Sequence, residues 1–159
     1  MEAVLRFTIP GRELLEIEHI VLDFNGTFAC DGKVLPGVAE RLNALADRVA
    51  VHIFTADTFG TAREACAGIR AKVVVTRQPV VGPEKERYVA ELGAGRTAAI
   101  GNGANDVLML RRAALAILVL GPEGAAVEAL LSADVVVKEI NEGLDLLLNP
   151  KRLAATLRR

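Results

Sequence analysis

Residues 20–27 read I-V-L-D-F-N-G-T, which places an acid at the end of an apolar run. Three apolar residues, two of them β-branched, predict a buried strand, and Gly26 permits a tight backbone turn directly after it. Asp23 therefore stands at the carboxyl end of the predicted strand. Ligands bind at the carboxyl ends of strands in open α/β sheets, which makes Asp23 a candidate for chemistry. The alternative is an aspartate that only ends a strand and begins a turn.

Strand and helix patterns alternate along the rest of the chain. Pro10-Gly11 predicts the turn of an N-terminal hairpin whose second arm continues into the strand before Asp23. Asp31-Gly32 predicts a second hairpin, a small β-flap beside Asp23. The other strands are predicted to end at Thr55, Thr76, Ile100, Leu120 and Val137, with helices over 38–47, 61–69, 83–92, 106–113 and 125–131. This alternation predicts an α/β fold with a parallel sheet that is covered by helices on both faces.

The composition is that of an ordinary globular chain. Of its 159 residues, 52% are hydrophobic and 25% are charged, which predicts a single domain over 1–159. The net charge of −1 gives no support to nucleic-acid binding or to binding at a membrane surface. No apolar run reaches the roughly 20 residues of a membrane span, so we expect a soluble, cytoplasmic protein.

Several other residues have structural explanations. Cys30 and Cys66 lie far apart and away from clustered histidines, which gives little support to a zinc site or a disulfide. His19 and His52 fall at or in predicted buried strands, so we expect packed, neutral side chains. The basic C-terminal tail, about 149–159, is explained by the favourable interaction of cations with a helix C-terminus. A contact in an oligomer or with an acidic partner is the alternative.

Four polar features follow the ends of successive predicted strands. They are Asp23, Thr55, Lys85 and the loop G-N-G-A-N-D at 101–106. An acid can attack phosphorus or hold Mg²⁺, while a hydroxyl and an ammonium can hold phosphoryl oxygens and a second acid can help to anchor the metal. Each feature alone is explained as a cap, a solvated side chain or a turn. Together, in this order, they point to phosphoryl transfer.

These motifs resemble those of the haloacid-dehalogenase (HAD) superfamily of phosphatases. The resemblance is closer to a capless, soluble branch that is similar to the phosphorylation domain of P-type ATPases. The motif D-K-T-G-T is matched by D-F-N-G-T at 23–27, T-G-D by T-A-D at 55–57, and G-D-G-x-N-D by G-N-G-A-N-D at 101–106. The motif lysine is matched by Lys85 after Pro83. The resemblance implies a three-layer, Rossmann-like (HAD-like) parallel sheet with helices on both faces, with the hairpin flap and without a cap domain.

The resemblance also implies a mechanism and a cofactor. Asp23 would attack a phosphoryl group and form an aspartyl phosphate, which water then hydrolyses. Mg²⁺ would be held by the Asp23 carboxylate, the backbone carbonyl of Asn25 and the side chain of Asn102, with Asp106 a ligand directly or through water. The implied catalytic residues are Asp23, Asn25, Thr55 and Lys85, and the implied substrate-binding residues are Phe24, Gly26, Thr27, Thr55, Ala56, Asp57, Lys85 and Asn105.

Two asparagines depart from the family pattern. Asn25 stands where the phosphatases have an acid/base aspartate, whose contribution is about 10²–10⁴-fold in rate. Asn102 stands where an acid usually helps to bind Mg²⁺, so we expect weaker metal binding, for which Asp57 compensates in part. The sequence thus predicts a Mg²⁺-dependent phosphatase of low intrinsic rate. The alternative is a catalytically reduced domain that keeps the phosphate and metal pocket for binding or regulation.

The short intervals from Asp23 to Thr55 and from Thr55 to Lys85 leave no room for a cap or a nucleotide-binding domain. A capless site is open to solvent. In similar proteins an open site either acts on macromolecular substrates or is closed by a neighbouring subunit of an oligomer. We therefore expect a phosphorylated substrate, either a small molecule or a macromolecule, and a homo-oligomer.

Overall fold

A computed structural model describes residues 3–56 and 60–159 as alternating strands and helices. In these ranges the strands are β1 (Leu5–Phe7), β2 (Leu15–Ile17), β3 (His19–Leu22), β4 (Ala29–Cys30), β5 (Lys33–Val34), β6 (Ala50–Thr55), β7 (Lys72–Val75), β8 (Thr97–Gly101), β9 (Leu115–Val119) and β10 (Val135–Val137). The helices are α1 (Val38–Ala46), α2 (Thr61–Ala65), α3 (Gly82–Leu92), α4 (Val107–Arg112), α5 (Val127–Leu130), α6 (Ile140–Leu148) and α7 (Pro150–Leu157). None of the described helices is long and apolar enough to cross a membrane.

The central sheet has six parallel strands in the order β10-β9-β8-β3-β6-β7. From β3 the chain builds one side of the sheet with β6 and β7, then returns to the other side of β3 with β8. Ligands bind in the crevice where the strand order reverses in this way. Leu22 pairs with Ile53 on one side and with Ile100 on the other, which brings three strand ends together.

The sheet is buried on both faces, which explains why its strands read as apolar runs. Successive residues of β9 alternate between the two faces: Ile117 packs on one side and Leu118 on the other. Helices α1, α2, α6 and α7 cover the first face, while α3, α4 and α5 cover the second. The predicted α/β fold with helices on both faces is therefore confirmed.

Both predicted hairpins are present. Strands β1 and β2 pair antiparallel and add to the core on the face covered by α7. Strands β4 and β5 form the flap, where Asp31 (φ 52°) and Gly32 (φ 78°) are the two turn residues with positive φ. A two-residue turn with both φ values positive matches the twist of the strands that it joins. The structure contains this hairpin and α1 between Asp23 and β6, and no cap domain.

Two helix predictions need correction. Helix α2 ends at Ala65 and not at Ile69, because Gly68 is a poor helix former and Ile69 turns into the core. Helix α5 covers only Val127–Leu130 of the predicted 125–131.

The explanation of the basic tail by a helix C-terminus holds for only part of its charge. Pro150 begins a separate helix, α7, so Lys151 and Arg152 lie in its first turn. Cations are disfavoured at a helix N-terminus. The favourable interaction with the helix C-terminus therefore applies only to Arg158 and Arg159, which follow the end of α7.

Candidate active site

A buried lysine joins two aspartates at the carboxyl edge of the sheet. Lys85 lies in the first turn of α3 and its side chain is 1% exposed. Its Nζ atom donates hydrogen bonds to Asp23 Oδ1 at 2.8 Å and to Asp106 Oδ1 at 2.7 Å. Asp23 follows β3, and Asp106 follows β8. The structure therefore brings together three residues that the sequence analysis placed at separate strand ends.

The loop after β8 is held by the second carboxylate oxygen of Asp106. This atom, Oδ2, accepts the backbone N–H groups of Asn102 and Gly103, each at 3.0 Å. A Cβ atom at position 101 would lie 2.4 Å from Asp106 Cγ, so only glycine fits there. Both oxygens of Asp106 are thus engaged, one with Lys85 and one with the loop backbone.

Thr27 connects Asp23 to Asn102. Its Oγ1 atom lies 3.2 Å from Asp23 Oδ2 and 3.2 Å from Asn102 Oδ1, and the Thr27 side chain is buried. A hydroxyl has one hydrogen to donate, so it satisfies only one of these two oxygens at a time. A carboxylate oxygen and an amide oxygen therefore converge at this point with spare capacity to accept.

The charges of the cluster do not balance. Two carboxylates and one ammonium leave a net negative charge in a buried place. Burial, and then the neighbouring Asp106, raise the pKa of Asp23 to about 6 against the opposing effect of Lys85. Burial lowers the pKa of Lys85, but the two carboxylates outweigh burial and raise it above its ordinary value. Lys85 is therefore protonated at neutral pH, and Asp23 is largely a carboxylate.

The oxygen atoms of the site fit a hard cation. Within residues 3–56 and 60–159, no group of three or more His, Cys, Asp or Glu side chains could hold a metal. A metal would therefore depend on amide or backbone oxygens in addition to carboxylates. The converging oxygens of Asp23 and Asn102 are of the kind that Mg²⁺ prefers, and the excess negative charge favours a cation.

Asn25 contacts the flap. It is exposed, and its Oδ1 atom accepts the backbone N–H of Gly32 at 3.0 Å, which ties the flap turn to the loop after β3. Gly26 in that loop has φ 82°, a conformation that favours glycine. The side chain of Phe24 is fully buried against Phe28, so a substrate contact at this residue would be made by its backbone. Only the backbone of Phe24 faces Asp23.

The remaining predicted residues lie around the cluster or outside the described chain. Thr55 ends β6, next to β3, and is buried. Ala56 and Asn105 are exposed, the latter in the turn that leads to Asp106. The predicted role of Asp57 falls outside the described residues.

His19 and His52 form a separate hydrogen-bonded group with Tyr88. The His52 Nδ1 atom lies 2.7 Å from the Tyr88 hydroxyl, and its Nε2 atom lies 3.1 Å from His19 Nδ1. Burial lowers the pKa of His52 to about 4. The prediction that His52 is packed and neutral is thus confirmed.

The sequence analysis missed one element of this edge, the turn G-P-E-G at 121–124. It follows β9, and its Gly124 carbonyl accepts a hydrogen bond from Asn102 Nδ2 at 3.1 Å. Glu123 lines a cavity of about 280 Å³ together with Asn25 and Asp31. The rule that singled out Asp23, a polar residue after a buried strand, applies equally to Glu123.

Two proteins of Methanocaldococcus jannaschii are similar to parts of this chain. No protein-family model matches the chain. The uncharacterized protein MJ0073 of Methanocaldococcus jannaschii is 60% identical over 60 residues, which are 38% of this chain; the chain spans 64% of that protein. A second protein of that organism, MJ0072, is 54% identical over 39 residues, which are 24% of this chain and 89% of that protein.

Solved structures share the fold at low sequence identity. The 3-deoxy-D-manno-octulosonate 8-phosphate phosphatase of Moraxella catarrhalis, solved with magnesium, phosphate and KDO, superposes with a TM-score of 0.70 at 16% identity, over 89% of this chain and 94% of that chain. A structure from Streptomyces avermitilis assigned to the HAD family of hydrolases gives 0.69 at 19% identity, over 85% and 87%. The chain belongs to the same family as MJ0072 of M. jannaschii, and its fold is that of the HAD superfamily of hydrolases.

Proposed function

We propose that this protein is a Mg²⁺-dependent phosphohydrolase that acts through an aspartyl phosphate on Asp23. The observation that supports this most directly is the Lys85 ammonium, buried between Asp23 and Asp106 at the point where the strand order reverses. A buried cation beside a carboxylate at a ligand-binding edge suits a reaction in which negative charge arrives at that carboxylate.

In the proposed reaction Asp23 is the nucleophile. Its Oδ1 atom is held by Lys85, and its Oδ2 atom lies within reach of the Thr27 hydroxyl, which Asn102 shares. Lysine has three N–H donors, and two of them are used by the aspartates. The third is available for an oxygen of the transferring phosphoryl group, a role that Thr55 would share.

The Asp23 and Asn102 side-chain oxygens and the Asn25 backbone carbonyl would hold the metal. Asp106 would support it through water, because both its carboxylate oxygens already have partners. When bound, Mg²⁺ supplies positive charge that offsets the charge of the phosphoryl group.

The rate is expected to be low, because the Asn25 amide cannot transfer a proton. The engagement of Asn25 Oδ1 with the flap favours a second candidate function, a domain that binds a phosphorylated ligand and turns it over little or not at all. In that function the role of Asn25 is to hold the flap through this hydrogen bond. Turnover that depends on Asp23 separates the two functions, because the binding function requires none.

The substrate is a phosphorylated compound. The M. catarrhalis neighbour is a phosphatase of a sugar 8-phosphate, which supports phosphate esters as the class. The cavity of about 280 Å³ beside Asn25 opens to solvent at the flap and would admit the end of a larger substrate. A homo-oligomer that closes this side, and a location in the cytoplasm, are part of the proposal.

The test is hydrolysis of p-nitrophenyl phosphate and acetyl phosphate with and without Mg²⁺. We expect Mg²⁺-dependent turnover that is lost in Asp23→Asn, and faster turnover in Asn25→Asp, which restores an acid/base at that position. The variant Asn149→Asp adds the same charge at an exposed position that does not line this cavity, and it is the control for a general change of surface charge. Turnover that persists in Asp23→Asn would exclude the proposed nucleophile. No turnover in the unaltered protein or in Asn25→Asp would favour the binding function.

A further inference from the structure

The turn at 121–124 holds Glu123 at the edge of the candidate active site. Gly124 N donates to Gly121 O at 3.1 Å, which closes the turn. Pro122 occupies its second position, where the fixed φ of proline favours a turn. Glu123 is therefore presented at the exposed corner of a stiff turn.

This turn is fastened to the residues that surround Asp23. Asn102 binds it twice: its Nδ2 atom donates to Gly124 O at 3.1 Å, and its carbonyl accepts Ala126 N at 2.8 Å. The turn also packs on the loop after β3, since a Cβ atom at Gly121 would lie 3.0 Å from Gly26 O. The position of Glu123 is thus set by the same loops that position Asp23 and Asn102.

The Glu123 carboxylate occupies the space beside the loop at 25–26. A Cβ atom at Gly26 would lie 3.0 Å from Glu123 Oε1 and 2.7 Å from Asn102 Nδ2. Glu123 and Asn25 also line the same cavity of about 280 Å³. The Glu123 carboxylate therefore lies beside Asn25, whose amide can act neither as an acid nor as a base.

We propose that Glu123 is the general base for hydrolysis of the phosphorylated Asp23. This role depends on the proposed function. The Glu123 carboxylate takes a proton from a water molecule in the cavity while the water oxygen forms a bond to phosphorus. The bond between phosphorus and the Asp23 oxygen breaks, and its electron pair returns to the Asp23 carboxylate. Inorganic phosphate leaves, and Glu123 loses its proton to solvent.

The test separates phosphorylation of Asp23 from its hydrolysis. With p-nitrophenyl phosphate and Mg²⁺, the first step releases nitrophenolate, a good leaving group that needs no acid. In Glu123→Gln we expect a burst of about one nitrophenolate per chain, followed by steady-state turnover about 10²-fold slower than in the unaltered protein. Acid-quenched protein should gain the mass of one phosphoryl group.

Two further variants make the result specific. Glu128→Gln removes an exposed glutamate nearby, whose closest cation is Arg111 at 3.7 Å, and should leave both phases unchanged. The double variant Glu123→Gln/Asn25→Asp should recover steady-state turnover, because a base is restored on the other side of the cavity.

The outcomes distinguish this role from the proposed function. Unchanged turnover in Glu123→Gln, or slower turnover without accumulation of phosphorylated protein, would overturn the role of Glu123 and leave Asp23 as the nucleophile. If the unaltered protein shows no turnover that depends on Asp23, the proposed function and the role of Glu123 both fail.

Discussion

Lys85 Nζ lies 2.8 Å from Asp23 Oδ1, although the two residues are 62 positions apart in the chain. The lysine reaches this position because α3 begins beside the carboxyl edge of the sheet. Its ammonium is shared with Asp106, so one cation neutralises part of the charge of two acids. This arrangement makes the stability of the fold and the chemistry of the site depend on the same side chain.

Replacement of Lys85 by methionine should therefore affect both properties. It leaves Asp23 and Asp106 facing each other in a buried place, and breaking a buried pair in this way costs about 3–5 kcal/mol. We expect a loss of that size in the free energy of unfolding in urea, with no turnover. Arg87→Met, which removes an exposed ion pair with Glu84 on the same helix, should cost at most about 1 kcal/mol. Equal effects of the two variants would contradict the ion cluster.

Restoration of an acid at position 102 should strengthen Mg²⁺ binding at a cost in stability. In Asn102→Asp the added charge favours the metal, but the hydrogen bond to the Gly124 carbonyl is replaced by repulsion between oxygens. We expect a lower unfolding temperature without Mg²⁺ and a lower Mg²⁺ concentration at the midpoint of the thermal shift. Asn43→Asp loses a comparable bond to Gly68 O and should show only the first effect. An unchanged Mg²⁺ midpoint in Asn102→Asp would argue against this metal site.

Glycine at position 101 should be essential for both the stability of the fold and turnover. In Gly101→Ala the new methyl group would lie 2.4 Å from Asp106 Cγ, within buried backbone and side chains. We expect a loss of about 1–3 kcal/mol in the free energy of unfolding, together with loss of turnover as Asp106 is displaced. Gly95→Ala, where a Cβ atom would have nothing within 4 Å, is the matched control. Wild-type turnover in Gly101→Ala would show that the position of Asp106 is not critical.

Stability should fall in acid because of His52. Its pKa is lowered from 6.5 to about 4 by burial and by the nearby His19 and Lys72, so the unfolded chain binds a proton that the folded chain does not. This contribution is complete above pH 6.5 and is lost as the pH falls toward 4. In His52→Asn we expect a smaller decrease in the urea midpoint between pH 7 and pH 4. An identical decrease in both proteins would assign the acid sensitivity to other groups.

The sequence was sufficient to predict the sheet edge at which the site lies, for a simple physical reason. The carboxyl ends of parallel strands meet at one edge, so Asp23, Lys85 and Asp106 are predictable neighbours once the strands are identified. Their pairing is a different matter. Side-chain directions decide whether Lys85 bridges the two acids and whether Thr27 contacts both Asp23 and Asn102. Strand patterns do not contain those directions.

The errors have local causes. Proline ends one helix and also favours the first turn of the next. The sequence around Pro150 therefore did not show that a new helix begins in the tail at 149–159. The role proposed for Glu123 was missed because a G-P-E-G turn is adequately explained as a turn. Its relation to Gly26 exists only in three dimensions, across strands β3, β8 and β9.

The strand order has a consequence for how the chain folds. Strand β3 lies between β6 and β8. One of its edges pairs with β6, which follows early in the chain, and the other edge pairs with β8 (Thr97–Gly101), which follows much later. Until those residues are available, the apolar middle strand has an open edge, which is the kind of surface on which chains associate wrongly. The pairing of β8 with that edge also places Asp106, which follows β8, next to Lys85 and Asp23. The pairing that closes this edge of β3 is thus the same event that assembles the reactive centre.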